Sequence, residues 1–178
     1  MNGPGFITHV ELEAVAAGLA PRLIAYALAR TGCRATAEDI AQDALTALVR
    51  RWRSAGPPES PDAYAFTIAK RRTGRTIARR ALMAPIDAVW NAARPEPSLE
   101  QAYADRAELT AVLAALRRLR RADREAMLLR VVGELPFEDI AAITHSTPTA
   151  VRVRISRARR RLAARLLEHG HGRRTRTA

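Results

Sequence analysis

Apolar residues recur three and four positions apart along most of the chain, the spacing that places side chains on one face of a helix. The clearest stripe includes Ile40, Ala44, Leu48 and Trp52, and it predicts a helix that runs to about Arg53. The periodicity elsewhere is also helical rather than alternating. The pattern therefore predicts an all-α fold.

The helical pattern is interrupted once, and the interruption divides the chain into two small helical domains. Residues 82–100 contain three prolines and no sustained helical period, so they are predicted to be a flexible linker. This leaves an N-terminal domain at 8–81 and a C-terminal domain at 101–168. The polar tail, 169–178, is predicted to be disordered.

Capping residues predict where the helices of the N-terminal domain begin and end. A first helix is predicted over Pro21–Arg30, with Gly32 as its C-cap. Thr36 and Asp39 have the spacing of a capping box at the start of the second helix. Ser60, followed by proline, is a good N-cap for the third helix.

The second helix carries polar residues away from its apolar stripe, and these predict an exposed acidic face. Its members are Glu38, Asp39, Gln42, Asp43 and Thr46. Taken alone, the pattern favours an ordinary solvated face, because acidic residues near a helix N-terminus also interact favourably with the helix dipole.

The third helix combines predicted core residues with a cluster of cations. Ala65, Ile68, Ala69 and Ile77 are predicted to be buried. The cations are Lys70, Arg71, Arg72, Arg75, Arg79 and Arg80. Tyr64 and Phe66 precede the cluster, and their rings could stack on unpaired bases or belong to the core; the sequence supports both interpretations about equally.

Two short helical patterns near the end of the chain predict a helix-turn-helix. The first helix, which starts near Phe137, ends at a polar break around His145. Thr147 is a plausible N-cap for the second helix, with Pro148 at its first position. This arrangement, with a strongly cationic second helix, is typical of proteins that insert a helix into a DNA groove.

The helical period of this second helix separates a buried face from a DNA-facing side. Val151, Ile155, Ala158 and Leu162 are predicted to pack inward. The predicted DNA-binding residues are Thr147, Thr149, Arg152, Val153, Arg154, Ser156, Arg157 and Arg160. Thr149, Arg152, Val153 and Ser156 are nearest the helix N-terminus and should reach base edges, and the flanking arginines should contact phosphates.

Composition supports a nucleic-acid partner. The formal net charge is +12, and all but one of the 30 basic residues are arginine, which binds phosphate and guanine in a bidentate manner. A GC-rich genome would give the same arginine bias. Basic and acidic stretches alternate, which indicates two partners or one DNA contacted at two places.

Other features of the composition exclude several classes of protein. The single cysteine, Cys33, excludes an internal disulfide and a zinc finger. No apolar run approaches the length of a membrane span and the N-terminus lacks a signal peptide, so a cytoplasmic protein without a membrane partner is expected. No phosphate loop, metal cluster or other cofactor site is present in the sequence.

Three segments together resemble the extracytoplasmic-function class of RNA polymerase sigma factors. AEDIAQDALTALVRRW (37–52) and AYAFTIAKRR (63–72) are similar to sigma region two. ALRRLRRADREAMLLRVVGELPFEDIAAI (115–143) and the helix after it are similar to region four. The resemblance covers roughly residues 19–167, and it lies in the order and spacing of the segments rather than in any single motif.

The resemblance implies a protein that is not an enzyme and that directs core RNA polymerase to selected promoters. Glu38, Asp39, Gln42 and Asp43 would dock on the clamp helices of the beta-prime subunit. Tyr64, Phe66 and the cations of the third helix would bind and open the promoter element nearer the start site. The helix after Pro148 would read the distal promoter element, with the beta flap and an anti-sigma factor as further partners.

The chain departs from the family pattern at several positions. Arg71 and Arg75 stand where the family has Asn and Asp, so both changes add positive charge at the promoter-opening helix. His145 replaces the usual turn glycine, and Pro136 replaces the usual capping Ser or Thr.

Two other functions are compatible with parts of the pattern. A free-standing helix-turn-helix regulator would usually bind DNA as a dimer, whereas no heptad seam for dimerisation is present. An enzyme acting on nucleic acid is disfavoured because the four histidines form no ligand or catalytic cluster.

Overall fold

The structure is a computed structural model that describes residues 4–83, 112 and 114–174. Every regular element in this part of the chain is a helix, which confirms the all-α prediction. The predicted linker, 82–100, lies outside the described residues except at its first two positions. The predicted start of the C-terminal domain, at residue 101, also lies outside them.

Three long helices form the N-terminal part of the structure: α1 (Pro4–Thr31), α2 (Arg34–Ala55) and α3 (Pro61–Met83). Helix α1 packs against both α2 and α3, and α2 packs against α3. The apolar stripe predicted for α2 is confirmed, because Ile40, Ala44, Leu48 and Trp52 are all buried.

Helix α1 is longer than the sequence predicted. Its start was expected at Pro21, but Pro21 lies within the helix. A proline inside a helix removes one backbone hydrogen bond, yet Leu19 and Leu23 on either side of it are buried, and their packing holds the helix together. The predicted C-cap is confirmed: Gly32 has φ of 68°, and its N–H donates to the carbonyl of Leu28 at 2.8 Å.

Helix α1 contains a long apolar stretch. Val10–Thr31 is long and apolar enough to cross a membrane by length and composition alone, contrary to the expectation that no apolar run approaches that length. Core helices of folded domains can have the same composition. Leu12, Leu19, Leu23 and Tyr26 are buried, so one face of α1 belongs to the core.

The capping box predicted for α2 is wrong. The helix begins at Arg34, and its N-cap, Cys33, is extended and makes no side-chain capping bond. The Thr36 hydroxyl accepts a hydrogen bond from Nη2 of Arg80 at 2.7 Å, so a tertiary contact uses the predicted capping group. The cap of α3 is confirmed, because the Ala63 N–H donates to Oγ of Ser60 at 3.1 Å.

The C-terminal part contains helical residues 114–117, then α4 (Arg121–Val131), α5 (Phe137–Thr144) and α6 (Pro148–Arg174). Helices α4 and α5 both pack against α6. The predicted inward face of α6 is confirmed, since Val151, Ile155, Ala158 and Leu162 are buried. The backbone of α6 remains helical past residue 169, where the tail was predicted to become disordered.

Helices α5 and α6 form the predicted helix-turn-helix. His145 adopts the left-handed conformation with φ of 51°, and the Ser146 N–H donates to the carbonyl of Ala141 at 2.9 Å, which ends α5. The Ala150 N–H donates to Oγ1 of Thr147 at 3.2 Å, which confirms Thr147 as the cap of α6. Pro136 precedes α5 without a side-chain cap, as expected.

The left-handed turn leads to a prediction about stability. His145→Gly should raise the free energy of unfolding by roughly 0.5–1 kcal/mol, because glycine adopts positive φ without the steric cost of a Cβ atom. The His145 side chain is exposed, so its removal sacrifices little packing. Urea denaturation followed by circular dichroism measures the change. His145→Ala, which keeps the Cβ, is the matched control and should give no gain; an equal gain in both variants would contradict the explanation.

Candidate partner-docking and nucleic-acid surfaces

The polar face of α2 is exposed as the sequence predicted. Glu38, Asp39, Gln42, Asp43 and Thr46 are all solvent-accessible, because the stripe that contains Ile40, Ala44 and Leu48 turns the opposite side of the helix into the core. Two of the acids have cationic neighbours: Glu38 lies 2.8 Å from Nε of Arg34, and Asp43 lies 3.3 Å from Nη1 of Arg72. Both pairs are largely exposed, so both acids remain available to a partner.

An apolar groove between α1 and α2 adjoins this acidic face. It has a volume of about 470 Å³, and its apolar lining comes from Ala20, Ile24, Ala41, Leu45 and Val49. Polar residues at its edge are Glu38, Gln42, Thr46, Arg50 and Arg53. An apolar channel with one carboxylate, one amide and two guanidinium groups at its edge is suited to an amphipathic helix.

A second groove, of about 890 Å³, lies between α2 and α3 and is strongly cationic. It is lined by Asp43, Thr46, Ala47, Arg50, Arg51, Arg53, Ser54, Tyr64, Ile68, Arg71, Arg72 and Arg75. Arginines from both helices therefore face one cleft that also contains an aromatic ring. Cations for a phosphate backbone next to a ring for stacking are the features expected of a single-strand binding groove.

Six of the eight predicted DNA-binding residues of α3 are exposed or line the cationic groove. Tyr64, Arg71, Arg72 and Arg75 line the cationic groove. Arg79 is exposed beyond it. Arg80 is also exposed, but its guanidinium donates to the carbonyl of Thr31 at 3.1 Å as well as to Thr36, so it anchors α3 to the junction of α1 and α2.

Phe66 and Lys70 occupy positions that differ from the prediction. Phe66 has no exposed surface, and its ring makes an edge-to-face contact with Tyr26 at a centroid distance of 5.5 Å; in this structure it is a core residue. Lys70 is half-buried, and its Nζ donates to the carbonyl of Ile143 at 2.5 Å. Burial, with the charges of Arg30 and Arg121, lowers the pKa of Lys70.

Ile77, predicted to be buried with Ala65 and Ala69, is 38% exposed. It lies in the second half of α3, so the prediction of burial is wrong at this position.

The predicted DNA-facing side of α6 is accessible. Thr147, Thr149, Arg152, Val153, Ser156, Arg157 and Arg160 are exposed, and Arg154 is half-buried. Nη2 of Arg152 lies 3.4 Å from Oε1 of Glu138, and its guanidinium lies 4.9 Å from the centre of the Phe137 ring. These contacts on α5 orient Arg152 beside the first turn of α6, where a recognition helix reaches base edges.

Two family descriptions match the chain at the places where this geometry was found. Sigma-70 region 2 matches residues 16–82, and sigma-70 region 4 matches residues 109–162, so more than half of the chain is matched. The chain belongs to the sigma-70 family. It is a sigma factor of the extracytoplasmic-function class, and it directs promoter-specific initiation of transcription.

Solved structures support the assignment. The sigma factor RpoE of Bartonella quintana, in complex with the anti-sigma factor NepR, is 28% identical; the alignment covers 90% of this chain and 96% of that one, with a TM-score of 0.64. CnrH, in complex with the cytosolic domain of CnrY, is 23% identical over 89% of this chain and 88% of that one, also with a TM-score of 0.64, and shows the fold alone. No curated protein matches by sequence. Sigma factors of this class are soluble transcription regulators and, as a family, are not enzymes.

Sequence reasoning missed several residues of the two sigma region 2 grooves. Ala20 and Ile24 lie on the part of α1 that was predicted only as a short helix. Arg50, Arg51 and Arg53 form a basic run at the end of α2. That run was a signal, but cations at a helix C-terminus also interact favourably with the helix dipole, so the sequence alone did not assign them to a groove.

The junction where Arg80 anchors α3 also affects the single cysteine. The pKa of Cys33 is lowered to about 7, mainly by hydrogen bonds from Thr36; burial opposes this shift, and Arg80 adds a smaller lowering effect. A lowered pKa increases the fraction of reactive thiolate near neutral pH.

The pH dependence of alkylation tests this arrangement. Iodoacetamide should react with the single thiol of the wild-type protein with a midpoint near pH 7. Thr36→Ala should move the midpoint upward, because the thiolate loses its main hydrogen-bond donor. Thr46→Ala, on the exposed side of the same helix, is the control and should leave the midpoint unchanged. Equal midpoints for Thr36→Ala and the wild type would contradict the assigned cause.

Proposed function

We propose that this sigma factor binds core RNA polymerase and promoter DNA through three separate surfaces. The acidic face of α2, with the apolar groove beside it, docks on the clamp helices of the polymerase beta-prime subunit. The cationic groove between α2 and α3 binds and opens the promoter element nearer the start site. Helix α6 reads the distal element in the major groove, and the C-terminal domain contacts the beta flap.

The observation that carries this proposal is the opposite charge of the two exposed faces on adjacent helices. Glu38, Asp39 and Asp43 give α2 an acidic surface, whereas Arg71 and Arg75 help to give α3 a cationic one. A protein that only coated nucleic acid would lose affinity from an exposed acidic face. One acidic and one cationic face suit simultaneous contact with a protein and a nucleic acid.

An anti-sigma factor is a further proposed partner, since RpoE is solved in complex with one. The protein is proposed to work in the cytoplasm and to have no catalytic activity of its own. The part of the chain that the structure describes holds no group of three or more His, Cys, Asp or Glu residues suited to a metal ion.

Run-off transcription with purified core RNA polymerase tests the proposed function. The template is a pool of genomic fragments from the source bacterium, and specific transcripts should appear only when this protein is added. Tight binding to duplex DNA without polymerase, together with no specific transcript in its presence, would favour a free-standing helix-turn-helix regulator instead.

Charge reversal on α2 tests the polymerase-docking surface. Asp39→Lys with Asp43→Lys should weaken binding to core polymerase about tenfold or more, because like charges would then face the basic side of the partner. Fluorescence polarisation of the labelled sigma factor measures the affinity. Glu11→Lys with Glu59→Lys changes the net charge equally at exposed sites elsewhere and is the control. Equal affinities of the two double variants for core polymerase would show that the acidic face is not part of the docking surface.

Arg152→Ala tests the reading of base edges by α6. The change should cost roughly 1–3 kcal/mol at one or two base pairs and relax preference there, while other positions keep their preference. Selection from a randomised duplex library, sequenced after binding to the holoenzyme, measures the preference. Arg159→Ala, a flanking cation, should instead weaken binding uniformly and reduce the salt dependence. A uniform loss in Arg152→Ala would identify that residue as a phosphate contact.

A further inference from the structure

The two halves of the chain share one core in this structure. Residues from α1 to α3 and residues from α4 to the start of α6 belong to a single cluster of buried side chains. One close approach is at Gly133, where an added Cβ atom would lie 3.2 Å from the ring of Phe66. The N-terminal domain therefore presents a surface on which the helix-turn-helix domain rests directly.

A buried carboxylate lies at the centre of this contact. The Glu125 side chain, on α4, is only 8% exposed and forms an ion pair with Arg30, whose side chain is 5% exposed. The Tyr26 hydroxyl donates a hydrogen bond to the same carboxylate. Burial raises the pKa of Tyr26, so its hydroxyl keeps the proton that it donates. Both partners of Glu125 lie on α1, in the other half of the chain.

Polar contacts around this centre also join the two halves. The Arg22 guanidinium, on α1, donates to the carbonyl of Gly133. Oγ of Ser60 donates to Oδ2 of Asp139 at 2.7 Å. Nζ of Lys70 donates to the carbonyl of Ile143, near the end of α5. Each contact reaches either the helix-turn-helix itself or the turn before it.

These contacts occupy the start of α3. Lys70, one of the cations proposed to hold promoter DNA, has the backbone of α5 as its partner, and Phe66 is covered by the turn at Gly133. A DNA strand that followed α3 from the cationic groove to Lys70 would have to displace α5. A DNA strand and helix α5 therefore compete for this end of α3.

We propose that α1 and α3 form a docking surface for the chain's own helix-turn-helix domain, held by Glu125 between Tyr26 and Arg30, and that its release strengthens nucleic-acid binding by α3. The docking itself stands on the contacts alone, whereas the competition rests on the proposed promoter-opening role of α3. The interface combines buried apolar residues with polar pairs, and contacts between the domains of one chain can open.

Glu125→Gln in the full chain tests the contact of Glu125 with Tyr26 and Arg30, which we call the latch. Asp123→Asn is its matched control. Both acids lie on α4 with side chains 8% exposed, but Asp123 pairs with Arg161 within the C-terminal part, at 3.1 Å. Small-angle X-ray scattering of the free protein should show a larger radius of gyration for Glu125→Gln and the wild-type radius for Asp123→Asn. Circular dichroism confirms that helix content is retained.

Binding of a fluorescein-labelled (dT)20 strand tests the competition. If the closed form is the main species, Glu125→Gln should bind about tenfold more tightly than the wild type, because the apparent affinity scales with the fraction of open protein. Asp123→Asn should bind as the wild type does. Unchanged binding with an enlarged radius would overturn the competition while leaving the docking surface in place.

A combined substitution makes the test independent of simple destabilisation. Arg30→Met, Glu125→Leu and Tyr26→Phe together remove both charges and the hydroxyl that bonds to them, and they fill the space with apolar groups, an exchange that is often neutral at buried ion pairs. The triple variant should return to the wild-type radius and the wild-type (dT)20 affinity. Equal radii for the wild type, Glu125→Gln and the triple variant would overturn the proposed role of Glu125. Suppose that Glu125→Gln has the larger radius, but that neither the wild type nor any variant gives specific transcripts with core polymerase. The proposed function then fails, and the latch stands.

Discussion

The buried carboxylate of Glu125 constrains more of this molecule than any other single group. A carboxylate with so little exposed surface is stable only if partners replace the water it has lost, and Arg30 and Tyr26 do so. Removing one partner of such a pair costs about 3–5 kcal/mol, because the remaining charge is left unpaired. The cost ties the orientation of α1 to that of α4, and through α4 to the helix-turn-helix that packs on it.

The helix-turn-helix itself depends on local rules, which is why the sequence predicted it well. Thr147 and Pro148 begin α6, and the left-handed conformation of His145 ends α5; each of these needs only its neighbours in the chain. The buried face of α6 follows from a period of 3.6 residues. The same period, applied to α2, predicted both its core stripe and its exposed acids.

The errors arose where a distant partner overrides a local preference. Thr36 has good capping chemistry, but the Arg80 guanidinium reaches it from another helix. Pro21 is a favourable first residue of a helix, but burial of Leu19 and Leu23 carries α1 through it. Phe66 could have been a stacking ring or a core ring, and only its contact with Tyr26 and the turn at Gly133 decides between them. Arg80 is distant from Thr36 in the sequence, and Tyr26 and Gly133 are distant from Phe66.

The sequence also does not distinguish the roles of individual arginines. Periodicity and net charge treat Arg30, Arg72 and Arg152 alike, yet Arg30 is buried against Glu125, Arg72 is exposed at the cationic groove, and Arg152 is held beside Phe137 and Glu138. An arginine that binds a phosphate must be desolvated only when the ligand arrives, whereas Arg30 is already desolvated and paired. The large positive charge of the chain therefore divides into buried cations that stabilise the fold and exposed cations that DNA can reach. The surface of α3 is where the two uses meet, because Lys70 can serve only one of them at a time.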